Sequence, residues 1–95
     1  MPPQLKGPNG STPVRSLRDV LAYNVRLLRV QKGLSQERLG FAADMDRTFI
    51  SQIERSRVNL SVDNIEKIGL ALAIDPSSLF THPKNAEKRE QHVAQ

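Results

Sequence analysis

Between residues 17 and 80 apolar positions recur at helical spacing, and no stretch alternates apolar and polar residues at period two. The pattern predicts five short helices and no strand, an all-α chain. The first helix, Leu17 to Gln31, lines up Leu17, Val20, Leu21, Asn24, Val25 and Leu28 on one stripe. Gly33 follows where a C-terminal cap belongs. Ser35, Asp46 and Ser61 are candidate N-caps, because a short side-chain oxygen can accept from the free amides of a first helical turn. Each is flanked by an apolar pair at hydrophobic-staple spacing: Leu34 with Leu39, Met45 with Ile50, and Leu60 with Ile65. These starts predict helices from Gln36 to about Ala43, from Arg47 to about Arg55, and from Val62 to about Ala73. Asp75-Pro76 marks a brief fifth helix carrying Leu79 and Phe80, with proline at the first helical position, where no amide hydrogen is needed.

Only Asp44, Met45 and Asp46 separate the second and third predicted helices, which forces a steep crossing of the helix-turn-helix kind. Gly40 sits inside the second helix, where glycine costs about 1 kcal/mol relative to alanine. Close approach of the third helix at the corner would explain it. Asp44 falls at the turn, where a left-handed backbone is expected and aspartate tolerates it better than most residues. At about 100° per residue, Arg47, Ser51, Arg55, Thr48 and Gln52 share one arc of the third helix. Phe49, Ile53 and Ile50 share the opposite arc. An ordinary solvated face tends toward Glu and Lys in i,i+4 pairs. This one offers Arg, Thr, Ser and Gln, groups that bond to base edges in a DNA groove.

Charge sharpens that reading. From Arg15 to Leu60 there are nine Lys or Arg against five Asp or Glu, a surplus of four that equals the net charge of the 95-residue chain. Eight of the nine cations are arginines, which fork onto phosphates and guanine edges as a lysine cannot. The chain has no cysteine, and His82 and His92 have no partner at ligand spacing, so neither disulfide, metal nor cofactor is expected. Nor does any run of apolar residues approach a membrane span, and no signal peptide is visible; a cytoplasmic protein is the expectation. Residues 1–14 read as a disordered leader, since Met1 to Pro13 hold four of the six prolines, two glycines and one charged residue. Residues 15–80 form the expected domain, and 81–95 a flexible charged tail.

From about Leu21 to Phe80 the sequence resembles the Cro/repressor-type, or XRE-like, helix-turn-helix family. The resemblance rests on Val25-Arg26-x-x-Arg29, on Gly33-Leu34-Ser35-Gln36-Glu37-x-Leu39-Gly40, and on Ile50-Ser51-Gln52-Ile53-Glu54. Leu60-Ser61-Val62-x-x-Ile65 and Leu72-x-Ile74 complete it. It implies a compact five-helix, lambda-repressor-like domain that regulates transcription by binding double-stranded DNA in the major groove, usually as a twofold dimer. In that family's terms Arg47, Thr48, Ser51 and Gln52 would face bases. Ser35 and Gln36 would hold a phosphate at the start of helix two, with Gln36 also supporting helix three. Arg55, Arg57 and Asn59 would follow the DNA backbone, and Arg29 would pair with Glu54 to tie helices one and three together. Asp44 departs from the glycine or asparagine often found at the turn.

Within the family, Met45-Asp46-Arg47-Thr48-Phe49-Ile50-Ser51 and Arg57-x-Asn59-Leu60-Ser61 resemble controller proteins of restriction-modification systems; phage-type repressors and antitoxins remain open as alternatives. Ile74, Leu79 and Phe80 are candidate dimer contacts, or else core residues sealing the last helix. The rival class is a protein-interaction module whose chief partner is another protein, such as a toxin, with DNA secondary; RNA polymerase is a further candidate partner. Catalysis is not expected, because no pair of carboxylates or histidines converges.

Overall fold

The structure, a computed structural model, describes residues 7, 8 and 14–83. Among them are four α-helices and no strand: α1 (Leu17–Gln31), α2 (Gln36–Ala43), α3 (Arg47–Glu54) and α4 (Val62–Ala71). A five-residue 3-10 turn, Pro76–Phe80, stands where a fifth α-helix was expected. The Asp75 side chain and Pro76 start it as anticipated, with Oδ1 accepting from the Ser77 amide at 3.0 Å. Only six residues then separate Pro76 from Pro83, too few for an α-helix once proline restricts the residue before it. The expected tail beyond Pro83 and most of the expected leader lie outside the described residues.

Ser35 and Ser61 cap as expected, accepting from the amides of Arg38 at 3.1 Å and Asn64 at 3.0 Å. Asp46 does not: it holds the N-cap backbone conformation, but its side chain makes no cap hydrogen bond. A further cap, at Ser16, accepts from the Asp19 amide.

All four α-helices end alike. One residue past α2 and two past each of the others, Asp44, Gly33, Ser56 and Ala73 take a left-handed conformation with φ between 59° and 72°. The next amide then reaches back five residues: Leu34 to Arg29 O, Met45 to Gly40 O, Arg57 to Gln52 O and Ile74 to Gly69 O, at 2.8–3.0 Å. The left-handed residue's own amide bonds three residues back as well, and this double closure occupies carbonyls that a helix end otherwise leaves open. Just one of the four residues is glycine, so the other three carry a steric penalty in that conformation.

Leu21, Val25, Leu39, Ile50, Ile53, Ile68, Leu72 and Leu79 make the centre of the core, to which every helix contributes. Leu34, Met45 and Leu60, the outer members of the three staples, pack against it. Leu79 has no exposed surface at all. Of its two expected roles the fold therefore gives it the seal; being enclosed in its own protomer, it has nothing to offer a partner. Ile74 is half-buried against the same core, whereas Phe80 is exposed. Buried Asn24 on α1 ties the turn down, its Nδ2 donating at 2.8 Å to the carbonyls of Leu79 and Thr81. Val14, expected at the end of the leader, is 2 % exposed and joins Val20 and Tyr23 in a second small cluster on α1.

Candidate nucleic-acid interface

Helix α3 is two-sided. Ile50 and Ile53 are buried in the core with Phe49 packed beside them, while Arg47, Thr48 and Gln52 are exposed and Ser51 is half-exposed. The corner that aims this helix is built by backbone. Asp44 turns left-handed at φ 59° and ψ 49°. A Cβ on Gly40 would lie 2.5 Å from the Met45 carbonyl oxygen, so the turn passes directly over a residue that must lack a side chain.

A buried polar node fixes α3 from behind. Arg29 Nε donates to Glu54 Oε2 at 2.6 Å and Nη2 to Oε1 at 3.0 Å, a two-pronged pair with the side chains 6 % and 3 % exposed. The remaining prong, Nη1, donates to the Leu34 carbonyl at 2.7 Å. Gln36 Nε2 donates to Glu54 Oε1 at 3.1 Å. Arg29 and Glu54 together thus join α1, the α1–α2 turn, α2 and α3. Removing one partner of such a pair strands a buried charge, which costs about 3–5 kcal/mol. Gln36 gives one of the two N–H groups of its amide nitrogen to this support.

Residues 55–60 lead away from α3. Arg55, Arg57 and Asn59 are exposed. The segment is held to the start of α1 by two bonds that local sequence did not suggest. Ser56 Oγ donates to Asp19 Oδ1 at 2.6 Å. That bond, more than any other influence, holds the Asp19 carboxyl below its ordinary range; burial opposes it, and the amides of Arg15 and Ser16 assist it. Arg18 Nη2 donates to Asn59 Oδ1. Neither pairing has a short-range signature, since the partners stand 37 and 41 residues apart.

A helix-turn-helix family profile matches residues 25–79, more than half of the chain. The chain belongs to the helix-turn-helix family. This helix-turn-helix protein is a DNA-binding transcription regulator, as are its relatives. It is 46% identical over 74 residues to a Neisseria meningitidis hypothetical transcription factor, an alignment covering 78% of this chain and 70% of that one. The control protein C.BamHI of Bacillus amyloliquefaciens is 44% identical over 78 residues, covering 79% and 96%. Among solved structures, the restriction-modification controller protein C.Esp1396I, as a tetramer in complex with its natural 35 base-pair operator, superposes with a TM-score of 0.64. It is 32% identical, with 70% of this regulator and 87% of that chain covered. Among the described residues, no helix is long and apolar enough to cross a membrane, and no three metal-ligating side chains gather.

Proposed function

We propose that this regulator is a controller-like protein that binds, as a homodimer, an inverted-repeat operator upstream of its own gene. The observation that carries the proposal is the two-faced α3: its apolar side is locked in the core, and Arg47, Thr48, Ser51 and Gln52 are left on the open side. These four read bases, each good contact giving about 1–3 kcal/mol of discrimination. Ser35, Gln36, Arg55, Arg57 and Asn59 hold the phosphate backbone around them, supplying affinity that falls with salt. Two such helices about 34 Å apart face successive turns of one DNA face, so half-sites should be related by a twofold axis. Exposed Phe80, with exposed Leu70 at the end of α4, supplies the dimer contact in this reading.

The test is fluorescence anisotropy on the DNA upstream of the chain's own gene, over a salt series with scrambled competitor. Tight, salt-dependent binding that survives competitor is expected. Equal weak binding to both DNAs would overturn autoregulation. One observation favours a second reading, in which a protein partner, polymerase or an antitoxin's target, is engaged as well. Phe41 on α2 is 83% exposed, outside both the core and the proposed dimer face. Phe41→Ser would then change transcriptional output while leaving operator affinity in vitro unaltered.

A further inference from the structure

Resting on that DNA-binding reading, we propose that Arg18, at the start of α1, is a further DNA-backbone contact, gripping one phosphate together with Asn59. Three observations converge on it. First, Arg18 and Asn59 are both exposed, and one guanidinium nitrogen of Arg18 donates to Asn59 Oδ1. That bond fixes which end of the amide faces Arg18, its oxygen accepting, and leaves Nδ2 as the donor end of Asn59. A guanidinium has five N–H donors in a planar fork, and only one nitrogen is engaged with Asn59. The pair therefore presents donors and a positive charge, the combination a phosphodiester takes.

Second, the neighbouring carboxylate does not compete. Asp19 is engaged by the Ser56 hydroxyl at 2.6 Å and the Arg15 amide at 2.9 Å. Third, Arg18 and Asn59 both line an open groove of about 550 Å³, with exposed Leu17 and with Leu21, Val58 and Leu60 among its other walls. Asn59 itself belongs to the segment 55–59, so the contact extends that proposed clamp onto α1 instead of starting a separate site.

The experiment uses the full chain and a duplex recovered by selection from a random pool. Binding is followed by anisotropy from low to moderate salt for the wild type, Arg18→Ala and Arg18→Lys, with melting by circular dichroism as a check on the fold. Arg18→Ala is expected to bind about tenfold more weakly and to lower the salt slope by about 0.9, the value of one phosphate contact. Arg18→Lys keeps the slope but loses part of the affinity, because it retains the charge without the fork. A single neutral methylphosphonate at the contacted phosphate should erase the difference between wild type and Arg18→Ala. Arg18→Ala with unchanged slope, whether or not affinity falls, would overturn the inference, since an arginine that only positions Asn59 neutralises no phosphate. A wild-type chain that binds no duplex would overturn the regulatory reading and this inference with it.

Discussion

Gln52 is the one side chain of α3 that pairs an amide donor with an amide acceptor, the combination that matches an adenine edge. Gln52→Ala is expected to lose about 1–3 kcal/mol of discrimination at particular operator positions. Binding to non-specific DNA should persist, as competition anisotropy on single-base variants would report; uniform weakening on every sequence would exclude a base-reading role. A different chemistry governs Ser56. Its bond acidifies Asp19 in the folded state. A carboxyl whose folded value is depressed adds stability that is present above its unfolded value, about 3.9, and that is lost as pH falls through the folded value. Ser56→Ala should therefore destabilise the domain at neutral pH, and the gap from wild type should narrow as pH drops below 4. Urea titrations at pH 7 and near pH 3 would show this, and a constant gap would mean that the bond carries no linkage. These two residues also differ in legibility. Gln52 could be placed from helical period alone, whereas nothing near Ser56 announces a partner on α1. Arg18 with Asn59 and Asn24 with the Leu79 carbonyl are equally silent, because they are made by tertiary closure.

At the scale of elements, the α2–α3 corner is where sequence and structure agree most closely. A glycine inside a helix and an aspartate at its end are both locally costly, and both are explained by the same turn. Gly40→Ala pushes a Cβ to 2.5 Å from the Met45 carbonyl oxygen, which the backbone must yield to relieve. A loss of about 1–3 kcal/mol is expected, as for other overpacked sites, with operator affinity falling as α3 tilts; thermal melts and anisotropy would measure both. Element ends were harder to read. Asp46 has the residue type and the backbone of a cap but makes no cap bond, because type and position do not determine a rotamer. The last segment has helix-starting residues yet closes as a 3-10 turn, since Pro83 leaves no length for propagation. Prolines and glycines dominate the neighbourhood of Val14 and place it in the expected leader; a lone valine shows no periodicity, even when it is buried.

At the scale of the whole molecule, Leu79 holds the protomer together, and Phe80 is the proposed contact between two protomers. Leu79 and Phe80 are adjacent in sequence and opposite in exposure. Leu79→Ala is expected to cost about 2–5 kcal/mol of folding stability, the usual range for a large-to-small core change. Phe80→Glu should leave the melting temperature of the isolated domain little changed but shift the chain toward monomer, with weaker operator binding. Sedimentation velocity beside thermal melts separates the two; a Phe80→Glu chain that stays dimeric would place the dimer contact elsewhere. Sequence patterning could nominate both residues but could not sort them, because a 3-10 turn presents adjacent side chains to different surroundings without the spacing of an α-helix.

The left-handed helix endings have a practical consequence for anyone wanting a sturdier version of this domain. Asp44 shapes the corner that aims α3, and Ser56 is bonded to α1, so neither can be exchanged without disturbing the placement of α3 and the segment after it. Ala73 has no such duty; its methyl group is exposed and its backbone sits at φ 59°. Ala73→Gly removes the clash at an unchanged backbone geometry, against a smaller loss from the freer unfolded chain. A net gain of about 0.5–1 kcal/mol is expected, or about 2–8 °C in melting temperature for a domain of this size, with operator affinity unaltered. The domain thus holds an untapped margin of heat tolerance, located at a single exposed methyl group outside α3.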